Sequence, residues 1–256
     1  SLLSFSNELV NNNWIDNRFW LRSYAKLYPE KAQIKTGTFK LNAHISLNEL
    51  LNLLVIGKEH QFTITFVEGS TFKQWLEQLG KQSELTHQLS GKSIKQISQL
   101  FDINEINPEG WFFPDTYAFT EGTSDFTILK WAHIEMKNKL DTLWQKRAKN
   151  LPYKNTYQVL IMASIIEKET SVIDEMPLIS SVFVNRLRKK MRLQTDPTVI
   201  YGLGDRYQGN IKRVHLREKT PYNTYRINGL PPTPIAMPGI LALKAVLKPE
   251  TTDFLY

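Results

Sequence analysis

Two carboxylates at the end of a long, mainly apolar run are the residues in this chain best suited to chemistry. The segment Ala163-Ser164-Ile165-Ile166-Glu167-Lys168-Glu169-Thr170 closes a run that starts at Val159. Burial disfavours the charged form of a carboxyl group, so one that abuts apolar surface keeps its proton to higher pH. A carboxyl still protonated near neutrality can serve as a general acid. The plainer reading is an amphipathic helix ending in solvated Glu and Lys. On a helix, residues two apart point roughly 200° away from each other, so Glu167 and Glu169 do not make an acid–base pair. Glu167 shares a face with Leu160 and Ala163, and Glu169 with Ile165 and Ile166, so periodicity does not choose between them.

Farther on, Gln194, Thr195, Asp196, Tyr201, Tyr222, Asn223 and Tyr225 form a polar and aromatic set that could line a sugar cleft. Aromatic faces stack on sugar rings, while amides and hydroxyls read hydroxyl and acetamido groups. Taken singly, each is equally a turn-former or a capped loop residue. Asp196 stands before Pro197, where the backbone is held extended; it is a candidate second carboxylate, with turn capping as the plainer role. Glu109 and Asp115 bracket an aromatic loop and are expected to serve structure first and substrate second. Arg186, Arg188, Lys189, Lys190 and Arg192 would suit phosphates, but a solvated helix face and C-terminal turn account for them, and no nucleic-acid partner is expected. The five histidines are scattered without metal-ligand spacing. No phosphate loop or dinucleotide fingerprint is present. The chemistry is therefore expected to use no metal and no cofactor.

These side chains need elements to position them. Lys35–Leu41 reads as a strand. Ser46-Leu47-Asn48-Glu49 is a capping box that opens a helix with an apolar face up to Gly57, and Gln61–Val67 alternates like a strand. Thr71-Phe72-Lys73-Gln74 is a second capping box, opening a helix that ends near Gly80. Residues 82–108 read as polar helices with connectors, and Gly110–Tyr117 as a loop or short strand. The periodicity predicts helices over 126–148 and 156–170. Pro177 suits the first turn of the next helix. The stretch from Gln194 to Met237 reads as irregular, and a long irregular stretch inside a domain is more often functional than accidental. Gly239–Leu247 reads as a final short helix.

Composition sets bounds. The chain has 256 residues, 41% hydrophobic and 22% charged, which is ordinary for a globular protein with ample core. Its formal charge of +7 suits an acidic partner without naming one. The absence of cysteine excludes disulfides, a thiolate nucleophile and cysteine-based zinc sites. The longest mainly apolar runs, Leu50–Ile56 and Val159–Ile166, fall far short of a membrane span.

Several of these segments recur together in a known family. They are Glu109-Gly110-Trp111-Phe112-Phe113-Pro114-Asp115-Thr116-Tyr117, the Glu167-Lys168-Glu169 triplet, Asn185-Arg186-Leu187 and Arg192-Leu193-Gln194-Thr195-Asp196-Pro197-Thr198-Val199-Ile200-Tyr201-Gly202. Tyr222-Asn223-Thr224-Tyr225, Gly229-Leu230-Pro231-Pro232 and Pro238-Gly239 complete the set. In order and approximate spacing the chain resembles the MltG (YceG-like) endolytic murein transglycosylases of bacteria, from about Lys35 to its end. The resemblance implies cleavage of the β-1,4 bond between N-acetylmuramic acid and N-acetylglucosamine in peptidoglycan strands. It selects Glu167, first of the triplet, as acid and base, and leaves Glu169 in a supporting role beside a basic side chain. One carboxyl suffices: it protonates the leaving oxygen and then takes the proton of the muramic acid C6 hydroxyl as a 1,6-anhydro ring closes.

The fold expected is α+β. Residues 1–67 would hold N-terminal helices and a LysM-like module, and residues 68–256 a mainly helical, lysozyme-like catalytic domain. The resemblance also implies peptidoglycan synthases (penicillin-binding proteins) as partners. It implies a bacterial inner-membrane protein with a single N-terminal anchor helix and a catalytic domain facing the periplasm. On that expectation the chain is a trimmed soluble piece, with the anchor before Ser1 and further tail after Tyr256. Two other readings stand beside it. One is a peptidoglycan-binding module without catalysis. The other is a pyridoxal-phosphate-dependent aminodeoxychorismate lyase, which would need Lys168 or Lys244 as its Schiff-base lysine and a phosphate cup not evident in the sequence.

Overall fold

The computed structural model describes residues 2–29, 33–41, 44–57 and 59–256. It divides the chain into two units, Ser1–Thr63 with Ala118–Thr123, and Ile64–Tyr117 with Ser124–Tyr256. Helix and strand are both present, as an α+β chain requires.

The first unit holds α1 (Leu2–Asn11), α2 (Phe19–Leu27) and α3 (Leu47–Ile56) around Leu9, Leu21, Leu50, Leu51 and Leu54. α3 begins at its capping box: the Ser46 hydroxyl accepts from the Glu49 N–H and the Glu49 carboxylate accepts from the Ser46 N–H. It ends at Gly57, whose φ of 64° is a left-handed position that glycine reaches without strain. The strand expected over Lys35–Leu41 does not form. Among the described residues its backbone makes isolated bonds, Lys35 N–H to the Leu54 carbonyl and His60 N–H to the Thr38 carbonyl. A ladder needs a continuous partner strand, and none pairs with this segment among the described residues. Among the described residues β1 (Phe62–Thr65) and β2 (Thr116–Phe119) pair as a two-stranded sheet.

The second unit holds α4 (Phe72–Gly80), α5 (Ile94–Leu100), α6 (Asp125–Gln145), α7 (Thr156–Glu169) and α8 (Met176–Arg188). After them come α9 (Asp196–Leu203), α10 (Arg213–Arg217) and α11 (Ile240–Leu247). Every residue of α7 from Val159 to Ile166 is buried. The plain amphipathic helix of the sequence reading is therefore not what forms: a helix apolar on all sides belongs in a core. It packs against α6, α8 and α11, among Met136, Leu140, Phe183, Ala242, Leu243 and Val246. Burying each large aliphatic side chain here contributes about 1.5–3 kcal/mol. Ser164, the polar residue in the run, donates to the Ile161 carbonyl at 2.7 Å and accepts the Ile235 N–H at 2.9 Å, so it carries no unmet polar atom into the core.

Two expectations for this unit are corrected. Over residues 82–108 a single helix forms, α5, opened by a Ser93/Gln96 capping box, and the remainder is turns, bends and irregular chain. The stretch from Gln194 to Met237 is not wholly irregular, since it contains α9 and α10. Pro197 sits in the first turn of α9, where its missing N–H costs nothing.

A second packing feature fixes the approach to α4. Phe66 stacks on Trp75 with ring centroids 3.8 Å apart, and Phe72 stacks on Phe112 at 5.2 Å. The four residues between Phe66 and Thr71 are thereby held at both ends. No described helix is long and apolar enough to cross a membrane.

Candidate active site

Glu167 is the first residue of α7 to leave the core, and it remains half-buried. Its Oε2 accepts the N–H of Gly239 at 2.9 Å, just ahead of α11. A turn over Val67–Ser70 closes in beside it. Ser70 N–H bonds back to the Val67 carbonyl, and Gly69, at φ 75°, takes the left-handed corner that favours glycine. The turn is stitched to the segment before Gly239: Gly69 N–H donates to the Met237 carbonyl at 2.9 Å, and Met237 N–H to the Ser70 carbonyl at 2.8 Å. Lys168 Nζ donates to the Gly69 carbonyl at 3.2 Å. A β-carbon added to Gly69 would stand 3.6 Å from Glu167 Cγ. One added to Gly239 would overlap the carboxylate of Glu68. Burial pushes the Glu167 carboxyl above its ordinary range; the Gly239 N–H opposes that, Glu68 adds to it, and Lys168 opposes it.

Glu169, two residues on and more open to solvent, belongs to a different corner. Its Oε1 accepts the hydroxyl of Thr195, the residue before α9. Thr195 is buried in a knot of threonines: its N–H donates to Thr224 Oγ1 at 3.0 Å, and Thr198 Oγ1 donates to its carbonyl at 2.7 Å. Asp196 opens α9 and its Oδ1 accepts the Tyr225 hydroxyl at 2.7 Å. That side-chain bond corrects the turn-capping role. Gln194, exposed and at φ 53°, donates its N–H to the Thr224 carbonyl at 3.2 Å. Glu169 is also raised by burial, with the Thr195 hydroxyl opposing, Asp196 adding and Arg186 opposing. Among the described residues it has no ion pair. Arg186 instead donates to the Leu193 and Leu255 carbonyls and is itself buried, not part of a solvated face.

Tyr201 and Tyr222 form a third group, their rings edge-on at 4.9 Å. The Tyr201 hydroxyl accepts from Asn107 Nδ2 at 2.9 Å and donates to Glu109 Oε2 at 3.1 Å. Glu109 Oε1 accepts the N–H of Phe72, first residue of α4, at 2.8 Å. Burial raises the Glu109 carboxyl to about 7, against both of those hydrogen bonds. Asn223 lies wholly inside its loop. Its amide donates to the carbonyls of His215, Leu216 and Glu218, and its oxygen accepts the Tyr225 N–H at 3.0 Å. Its polar atoms are spent on the loop and do not face outward.

The profile of the YceG-like family matches residues 1–256. The chain belongs to the YceG-like family. It is 31% identical to a Bacillus subtilis (strain 168) protein named endolytic murein transglycosylase, over 100% of this chain and 75% of that one. Two Streptococcus pneumoniae proteins of the same name, from serotype 2 strain D39 and strain R6, are each 26% identical over 91% of this chain. The matched region spans about half the length of each, 48%. The 2.6 Å crystal structure of a putative YceG-like protein from Listeria monocytogenes aligns with a TM-score of 0.62 at 29% identity, covering 100% of this chain and 89% of that one.

In this YceG-like chain, sequence reasoning passed over Glu68, Gly69 and the role of Gly239, and over Thr198 and Thr224. The signal for the first two was there: a carboxylate followed by glycine, lying between a strand and a capped helix. Among the described residues, no group of three or more His, Asp or Glu side chains could hold a metal ion.

Proposed function

We propose that this chain is an endolytic murein transglycosylase that cuts the β-1,4 bond between N-acetylmuramic acid and N-acetylglucosamine inside peptidoglycan strands and leaves 1,6-anhydro ends. The observation that carries the reading is Glu167, a half-buried carboxyl at the outlet of the buried Val159–Ile166 run of α7, with its proton affinity raised by burial. The name given to the curated relatives supports it. Glu167 would give its proton to the glycosidic oxygen as the bond to C1 breaks. The muramic acid C6 hydroxyl then closes on C1 and returns its proton to Glu167, so no water is consumed. A well-placed internal nucleophile reaches an effective concentration of ~10⁵ M or more, which is how it outruns water.

The finer assignments rest on the same reading. Gln194, Asp196 and Tyr225 would face the sugars, with Thr195 and Asn223 holding their backbone in place and Tyr201 and Tyr222 forming an aromatic wall. Residues 1–67 would act as a LysM-like glycan-holding module and residues 68–256 as a lysozyme-like catalytic domain. The natural protein would sit in the inner membrane facing the periplasm, beside peptidoglycan synthases. The test is digestion of purified sacculi in heavy-oxygen water, with the soluble products weighed. Anhydro ends, one water lighter than hydrolytic ends and unlabelled, are expected. Labelled reducing ends as the main product would replace the transglycosylase with a hydrolase, and binding without product would leave only the glycan-binding module.

A further inference from the structure

We propose that Glu68 is a second carboxylate of the reaction centre, standing beside Glu167 to hold the positive charge that develops at C1 of the muramic acid ring. The inference rests on the transglycosylase reading and adds to it a residue that the one-carboxyl chemistry does not call for. Three independent contacts put Glu68 there. The Val67–Ser70 turn is closed on itself, held by aromatic packing on both sides, and stitched to Met237 by two backbone bonds. Gly239, whose N–H holds Glu167, leaves open the space into which the Glu68 carboxylate projects. Lys168 fastens the carbonyl of Gly69, the next residue, from the same helical turn that carries Glu167.

Glu68 itself is exposed and, among the described residues, makes no hydrogen bond or ion pair. A turn held this firmly that presents an unpartnered carboxylate next to the acid suits a preorganised charge aimed at a developing cation. The division of labour follows. Glu167 carries the proton: to the glycosidic oxygen as the C1–O bond breaks and the bonding pair stays on oxygen, then back from the C6 hydroxyl as its oxygen bonds to C1. Glu68 transfers nothing. It lowers the energy of the charge on C1 between the two events, and its own charge keeps the proton on Glu167. The charged side chains acting on Glu167 are Glu68 from the turn and Lys168 from its own helix, while Gly239, just ahead of α11, contributes its N–H.

The experiment compares wild type with Glu68→Gln and Glu68→Asp on solubilised glycan strands across pH. Glu68→Gln is expected to lower kcat on the order of 10²-fold, the scale of losing one preorganised electrostatic contact, with KM little changed. Its basic limb should move to lower pH, and its melting temperature should hold. Glu68→Asp, which keeps the charge but draws it back, should fall between. A Gln variant with wild-type kcat and an unmoved basic limb overturns the proposal. If Glu68→Gln fails to fold, the basic limb of Glu68→Asp decides: a limb at the wild-type position overturns the proposal. Carbon-13 NMR titration of labelled glutamate, with Glu167 assigned from Glu167→Gln, reads the coupling without turnover. The Glu167 midpoint should fall in Glu68→Gln, and an unchanged midpoint also overturns the proposal. Wild-type end groups test the transglycosylase reading on their own. Reducing ends would defeat that reading, while the two Glu68 measurements would keep their meaning.

Discussion

Glu167 and Glu169 stand two residues apart on one helix, yet they meet different surroundings. Glu167 is held by a backbone N–H, flanked by a glycine turn and faced by a second carboxylate, and its Oε1 accepts no hydrogen bond among the described residues. Glu169 is engaged by the hydroxyl of Thr195, which is itself locked into a buried threonine knot at the start of α9. Both carboxyls have raised proton affinity, so that property does not separate them. The partners do. A backbone donor fixes a carboxyl without another side chain to displace, leaving its far oxygen toward a substrate. A side-chain donor drawn from another helix makes a pin: Glu169 ties the end of α7 to the start of α9. On the transglycosylase reading, proton transfer would fall to the Glu167 corner and the holding of the cleft wall to the Glu169 corner.

The strongest way to break this comparison is Glu167→Gln. Glutamine keeps the shape and can still accept the Gly239 N–H, but it cannot give up a proton. Turnover of sacculi should fall about 10²–10⁴-fold, the span that general acid–base catalysis contributes, with an unchanged melting temperature. Retention of more than about a tenth of the activity would remove Glu167 from the role of acid.

Glu109 links the two corners, reaching Phe72 just after the Glu68 turn with one oxygen and Tyr201 on α9 with the other. Its folded pKa of about 7 lies above the ordinary glutamate value of 4.5. The folded state therefore holds a proton that the unfolded chain has already released. Stability is full below pH 4.5, falls as pH rises to about 7, and is level above that. The total loss is about 3 kcal/mol at most. Glu109→Gln keeps the Phe72 bond through its oxygen, can donate to the Tyr201 oxygen through its amide, and does not ionise, so it should abolish this slope. Urea midpoints at pH 5 and pH 8 check it: wild type should be weaker at the higher pH, and the variant should not. Equal slopes in the two proteins would mean that another group causes the fall.

Smaller still is the expected effect of Glu169→Gln. Its amide oxygen can still accept the Thr195 hydroxyl, so the loss should stay within about tenfold, one weakened hydrogen bond in size. If this variant lost more activity than Glu167→Gln, the acid would be Glu169.

What could be read from the sequence was local. The capping boxes at Ser46 and Thr71 and the proline in the first turn of α8 each depend on residues within one helical turn, and each helix starts where its signal lies. The apolar run up to Ile166 identified the helix, though its burial on all sides depends on α6, α8 and α11 arriving from elsewhere in the chain. The strand expected at Lys35–Leu41 failed for the same reason, because strand propensity without a partner leaves extended chain. Glu68 was invisible because its place is set by Gly69 bonding to Met237, far along the chain, and by the missing side chain of Gly239. Asn223 and Arg186 looked like outward-facing polar residues, yet their donors are turned inward onto loop and chain-end carbonyls.

Tyr225→Phe gives the finest test of the comparison. The Tyr225 hydroxyl is pushed up to about 12, first by burial and then by Asp196, so it stays protonated and donates to that carboxylate throughout the working range. Phenylalanine keeps the ring and its capacity to stack on a sugar, and removes this donor alone. A partly exposed hydrogen bond of this kind contributes about 0.5–1.5 kcal/mol, so the change should be a few-fold, at most about tenfold. If the Glu169 corner is cleft wall, the loss should appear as a raised KM with kcat nearly unchanged, because a wall contact holds substrate and transition state alike. Steady-state kinetics on solubilised strands separate the two parameters. A fall in kcat approaching that of Glu167→Gln would place the Tyr225–Asp196 pair at the breaking bond and reverse the roles of the two corners.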